Sequence, residues 1–204
     1  IYVVLSHIAL NTNRITIGPG VTHPYTRHPA VTANAIASLD EISGGRAALM
    51  IGMGREGGYK SIGIEVLPKS LSVMRETIQI CKGLFSGQPL NYDGYRFKIR
   101  NTRLAYSCRP SIPVIIAALG PKMMNMGGMY ADGACLAEVP AEYVPFAKKH
   151  FEEGLKKAGR KMPNYMFSVN PLISLARTWE EARKPMDYLM VMPLASSLKH
   201  EPIL

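Results

Sequence analysis

A chain of 204 residues is long enough to bury a sizeable core. With 47% hydrophobic and 19% charged residues it is globular rather than disordered, and no apolar run reaches the ~18 residues of a membrane span. The formal charge of +9 leaves nucleic acid and acidic small molecules as the partners to weigh.

The chain starts at Ile1, without a methionine, inside a predicted helix. Val4, Leu5, Ile8 and Ala9 share one face, and Asn11-Thr12-Asn13 ends it. A β-branched run from Ile15 to Val21 reads as a strand, yet Gly18-Pro19-Gly20 interrupts it. Pro29 opens an Ala-rich helix through Ile42 with Val31, Ala35, Ile36 and Leu39 as its stripe, stopped by Gly44-Gly45. Ala47 to Ile51 is a short apolar run of the kind buried on both faces of a parallel sheet. A loop to Pro68 and a helix from Ser70 to Phe85 follow. Asp93-Gly94 then marks a β-hairpin near residues 89–100. Pro113 to Leu119 and Gly133 to Ala137 are further buried strands. They are followed by helices that open at Gly120-Pro121 and at Pro140. Phe167 to Ala176 is predicted as a last strand, and Thr178 with Glu181 as the capping box of a last helix.

This alternation predicts an α/β fold with a parallel sheet. The glycine-rich turns all follow strands, which favours a (β/α)8 barrel over a doubly wound sheet. There is no G-x-G-x-x-G turn into a helix and no Walker loop. Five strands are visible where a barrel has eight. The expectation is a single partial barrel over residues 1–204 with a hairpin insertion, its first strands and last strand missing.

The basic residues are dispersed. Arg96, Lys98, Arg100, Arg103 and Arg109 lack interleaved stacking aromatics, and Lys148-Lys149, Lys156-Lys157 and Arg160-Lys161 read as the solvated face of a helix. An acidic small molecule therefore suits the charge better than nucleic acid. Cys81, Cys108 and Cys135 form no C-x-x-C pair and read as small buried thiols of a reducing cytoplasm, with no metal role.

Two segments carry a resemblance. "GPGVTHPYTRHPAVTANAIASLDEISGGRAALMIGMG" (residues 18–54) and "IPVIIAALGPKMMNMGGMYADGACL" (residues 112–136) resemble the luciferase-like flavin and deazaflavin superfamily, nearest its coenzyme F420-dependent methylenetetrahydromethanopterin reductase branch. The resemblance implies a (β/α)8 barrel, a homo-oligomer in the complete protein, and hydride transfer between F420 and an organic substrate. An FMN-dependent monooxygenase and a non-catalytic flavin-binding fragment are the alternatives.

The resemblance also explains the interrupted strand. It implies a bulge with a cis Gly20–Val21 bond behind the cofactor ring, with Thr22 beside it. Gly120-Pro121-Lys122-Met123 matches the family's phosphate loop. The physics there stands alone, because a helix N-terminus presents free N–H groups and positive potential. His23, Tyr25, Arg27 and His28 follow the bulge as candidate cofactor or substrate contacts. Where F420-dependent relatives carry an acid after the glycine-rich turn, this chain has Arg55, suited to an anionic group, and then Glu56, the candidate proton-handling residue.

Overall fold

A computed structural model describes residues 1–106, 108–171 and 173–189. Four strands form a parallel sheet in the order β1-β4-β5-β6. These are β1 (Leu49–Gly52), β4 (Val114–Ala117), β5 (Gly133–Ala137) and β6 (Met166–Asn170). The hairpin strands β2 (Leu90–Asp93) and β3 (Lys98–Thr102) form a separate antiparallel pair. The helices are α1 (Tyr2–Leu10), α2 (Pro29–Ile42), α3 (Glu56–Lys60), α4 (Ser70–Phe85), α5 (Pro121–Tyr130), α6 (Tyr143–Lys157) and α7 (Trp179–Leu189).

The predicted first strand is not a regular one. Ile17 bridges Ala47 and Thr22 bridges Ile51, both parallel, so the chain runs along the edge of β1 and loses its pairing in between. Ile17 and Thr22 each donate and accept across this seam at 2.9–3.1 Å. Residues 18–21 bulge out, and the Gly20–Val21 bond is cis, as the resemblance implies. Gly18 has no room for a side chain, since a Cβ there would collide with the Ala48 carbonyl.

The apolar strand runs are buried as predicted. Leu49, Ile51, Val114, Ile115, Ile116, Ala134 and Leu136 are closed from solvent. The helices cover the sheet, with α2 against α4, α4 against α5 and α5 against α6. The last contact is backbone on backbone. A Cβ on Gly128 would sit on the Phe151 carbonyl, and one on Gly154 on the Asn125 carbonyl.

Several boundaries and faces differ from the sequence reading. In α1 the buried pair is Leu5 and Ala9, while Val4 is 62% exposed. In α2 the buried face is Thr32, Ala33, Ile36, Ala37, Leu39 and Asp40, and Val31 faces outward. Asp40 can belong to that face because its carboxylate finds partners there. It accepts from the Ala47 N–H at 3.1 Å and from the Arg109 guanidinium at 2.8 Å. Arg109 is thus a structural cation, not part of an open basic surface. Arg160 is another, donating to the Gly128 and Ala131 carbonyls and to Asp132 at the C-terminal end of α5.

The hairpin loop is four residues, not two, since Asp93 pairs with Lys98. The buried Glu76 carboxylate sets it, accepting from the N–H groups of Tyr95, Arg96 and Phe97 at 2.7, 2.9 and 3.1 Å. β6 stops at Asn170 rather than running to Ala176, because Pro171 has no N–H for the ladder. Residue 172 of that predicted strand lies outside the described residues. The helix from Pro140 starts three residues later, at Tyr143, and α3 lies in the predicted loop. Thr178 does cap α7, its hydroxyl accepting from the Glu181 N–H at 3.3 Å.

Candidate functional site

All four parallel strands deliver their C-terminal ends to one cleft of about 640 Å³. That size fits a cofactor or small substrate, for which pockets of about 300–1,000 Å³ are usual. Gly20 and Val21 of the bulge form one wall. Gly52 to Glu56 after β1, Leu119 and Gly120 after β4, Ala137 and Glu138 after β5, and Asn170 at the end of β6 complete the rim. Val21, Met50, Met53, Val66, Leu119 and Met123 make the lining largely apolar.

α5 starts at this cleft. Gly120 is its N-cap, no side chain caps it, and Pro121 occupies the first turn. The first N–H groups of a helix have no partner within it. The predicted phosphate loop therefore lies where Gly120 and Met123 line the cleft, while Lys122 points its charge to solvent and Pro121 is not on the lining.

The other candidates divide. Arg55 and Glu56 line the cleft. Glu56 pairs with Lys60 along α3 at 2.9 Å and its side chain is 63% exposed. Arg55 reaches Glu138 at 3.5 Å. Thr22 is buried behind the wall, its backbone bridged to β1 and its hydroxyl accepting from Tyr2 at 3.3 Å. His23 packs edge-on against Tyr59 with its Nδ1 3.4 Å from the Gly52 carbonyl, one layer behind the lining. Tyr25 is buried and donates to the Leu67 carbonyl at 3.2 Å. The Arg27 guanidinium lies over the Tyr2 ring, and His28 caps α2 by accepting from the Ala30 N–H. These last three support the loop rather than face the cleft.

Tyr59, Ser70, Glu138 and Asn170 are polar lining residues that escaped the sequence reading. Tyr59 donates to the Met53 carbonyl at 2.6 Å, and burial pushes its hydroxyl up to about 12. Glu138 directly follows β5, as Arg55 follows a turn after β1. A polar residue just past a buried strand was the available signal. Cys135 also lines the cleft and is buried, as is Cys81, whose thiol burial pushes up to about 12.

Parallel strands with covering helices and a cleft at the strand C-termini define part of a (β/α)8 barrel. The chain belongs to the luciferase-like monooxygenase family, whose model matches residues 1–201. It is 36% identical over 198 residues to the 5,10-methylenetetrahydromethanopterin reductase of Archaeoglobus fulgidus, covering 97% of this chain and 59% of that protein. It is 32% identical to the reductase of the same name from Methanolobus tindarius, covering 97% of this chain and 60% of that protein. The structure of the coenzyme F420-dependent tetrahydromethanopterin reductase from Methanopyrus kandleri superposes with a TM-score of 0.80 at 29% identity, over 89% of this chain and 56% of that one. The chain thus spans about 60% of the length of the curated relatives it matches.

Proposed function

We propose that the protein carrying this chain is an oxidoreductase that binds coenzyme F420 in the cleft and acts on methylenetetrahydromethanopterin. One observation carries this reading: a largely apolar cleft of about 640 Å³, walled by Gly20 and Val21 of the bulge and reaching Gly120 at the N-terminus of α5, which no side chain caps. The relatives' names supply the cofactor and the substrate. The group fits what is present. A Cβ on Gly52 would press on Val21 and on the Ala117 carbonyl at 3.2 and 3.3 Å, so glycine there keeps the cleft floor open.

In this reading Gly20 and Val21 back the ring, with Thr22 holding them in register. Gly120 and the N–H groups of Lys122 and Met123 take the phosphate, Pro121 pre-setting the turn. The coenzyme supplies or accepts the hydride; the protein binds, orients and keeps water out. Arg55 faces the cleft as the candidate contact for an anionic group, and His23, one layer behind, supports the rim through Tyr59 and the Gly52 carbonyl. Glu56 handles the proton once it swings from Lys60, an exposed pair worth only about 0.3–0.5 kcal/mol.

The test is titration with F420 and with FMN of the parent, Gly120→Val and Lys122→Ala. Gly120 has φ −69° and ψ 145°, a conformation open to any residue, so valine loads the site without straining the backbone. Gly120→Val should weaken binding about tenfold or more by blocking charge-assisted backbone contacts, and Lys122→Ala by much less. Equal affinity of Gly120→Val and parent would remove the phosphate loop from the site. Tighter binding of FMN than of F420 would turn the reading toward a flavin monooxygenase.

A further inference from the structure

The ion pair between Arg55 and Glu138 has a particular place. Arg55 stands past the end of β1 and Glu138 at the end of β5, and β4 lies between those strands. Two strand spacings separate them, about 10 Å. The pair therefore spans the end of β4 and lines the same cleft as Gly120 and Met123 of the α5 start.

Both partners are built to let go. The contact is 3.5 Å long, with the side chains 64% and 32% exposed. Glu138 sits at φ +57°, a left-handed conformation that glutamate rarely adopts. Its N–H is held by the Asn170 carbonyl at 3.0 Å. Such conformations persist where the surroundings enforce them, commonly at functional sites. The guanidinium can hold an oxyanion through two parallel bonds, better than this single contact.

Resting on the cofactor reading above, we infer that Arg55 is an oxyanion-recognition residue and Glu138 its built-in competitor. A phosphate or carboxylate entering over the α5 N-terminus takes Arg55 from Glu138. A ligand without that charge leaves the pair intact. The site thereby discriminates by charge, because only an anion gains the guanidinium.

The test uses three probes: a deazaflavin riboside without phosphate, its phosphate ester, and coenzyme F420 with its acidic tail. Each is titrated into the parent, Arg55→Gln, Glu138→Gln and the double variant, with melting curves to confirm folding. Glu138→Gln should tighten the anionic probes about two- to fivefold, the range of an exposed pair. Arg55→Gln should weaken them about tenfold or more. The double variant should match Arg55→Gln, and the riboside should be indifferent to all three. A response already full with the phosphate ester assigns Arg55 to phosphate; one that appears only with F420 assigns it to the tail carboxylates. Weaker anion binding by Glu138→Gln, or an equal shift for the riboside, overturns the inference. If the parent binds none of the three probes, the cofactor reading fails instead. Inorganic phosphate then replaces them, with the same signs required of the two single variants and their absence equally fatal.

Discussion

Replacing Arg46 tests how the wall of the cleft is anchored. Its guanidinium makes five hydrogen bonds: to the carbonyls of Ser43, Ala9, Thr12 and Ile15 and to the Thr12 hydroxyl, at 2.7–3.1 Å. One side chain thus joins the end of α1, the start of the bulged segment and the turn before β1. Hydrogen bonds from a charged donor are worth about 1.5–3 kcal/mol each. They do not add in full here, because Arg46 is half-buried and water replaces part of what is lost. Arg46→Ala is expected to cost about 3–4 kcal/mol, above the usual ~0.5–3 kcal/mol of a single substitution because it breaks a whole hydrogen-bond network. At about 2–4 °C per kcal/mol for a chain this long, the melting temperature should fall by about 10 °C. Arg46→Lys keeps the charge but cannot span five acceptors, and should lose about half as much. The local readout is amide exchange at Ile17, whose N–H donates to the Arg46 carbonyl. That amide should lose protection more than amides in β4. A loss below about 1 kcal/mol for Arg46→Ala, or unchanged protection at Ile17, would show that the wall is held by its bridges to β1 alone.

Glu76→Gln should destabilise the hairpin by about 2–3 kcal/mol. It removes a charged acceptor of three backbone N–H groups and turns an amide donor toward one of them. Exchange protection at Tyr95 to Phe97 reports it, and unchanged protection there refutes the role. His28 gives a pH dependence. Burial, and then the nearby Arg96 charge, lower its pKa below the ordinary 6.5, and its neutral ring accepts the Ala30 N–H at the start of α2. The unfolded chain therefore binds the proton more readily. The stabilisation is full above about pH 6.5 and is lost as pH falls through the lower folded value. Melting temperatures of parent and His28→Asn, which retains a capping side chain, should converge as pH drops from 7.5 toward 4.5. A constant difference across that range would clear His28 of the effect.

The elements were legible where the signals are local. Pro29 and Gly44 bracket α2, Gly120-Pro121 opens α5, and the apolar runs mark β4 and β5, since proline, glycine and β-branched residues act on their own backbone. The misreadings arise where a distant group decides. Glu76, far from the hairpin in sequence, sets a four-residue loop against the strong Asp93-Gly94 signal. Asp40, paired with Arg109, turns α2 so that Val31 faces out. α3 was missed because its Gly57-Gly58 reads as loop, and it borders the cleft. In the site, the bulge and the α5 start carried motif-length signals. Glu138 did not, because its meaning comes from lying two strands away from Arg55, a relation absent from the linear order.

The contact of Gly128 with α6 and of Gly154 with α5 has a mechanical consequence. Two helices touching backbone to backbone have no side-chain layer to shear, so α5 cannot shift without carrying α6. The α5 end of the cleft is therefore its stiff side. On the β1 side of the cleft, Gly57 and Gly58 in α3 meet no neighbour within 4 Å of an added Cβ. The border with room to move is therefore α3. Motion there would carry Arg55, the N-cap of α3, while leaving the α5 N-terminus in place, so a phosphate docked on α5 would act as a fixed pivot about which the rest of the ligand is adjusted.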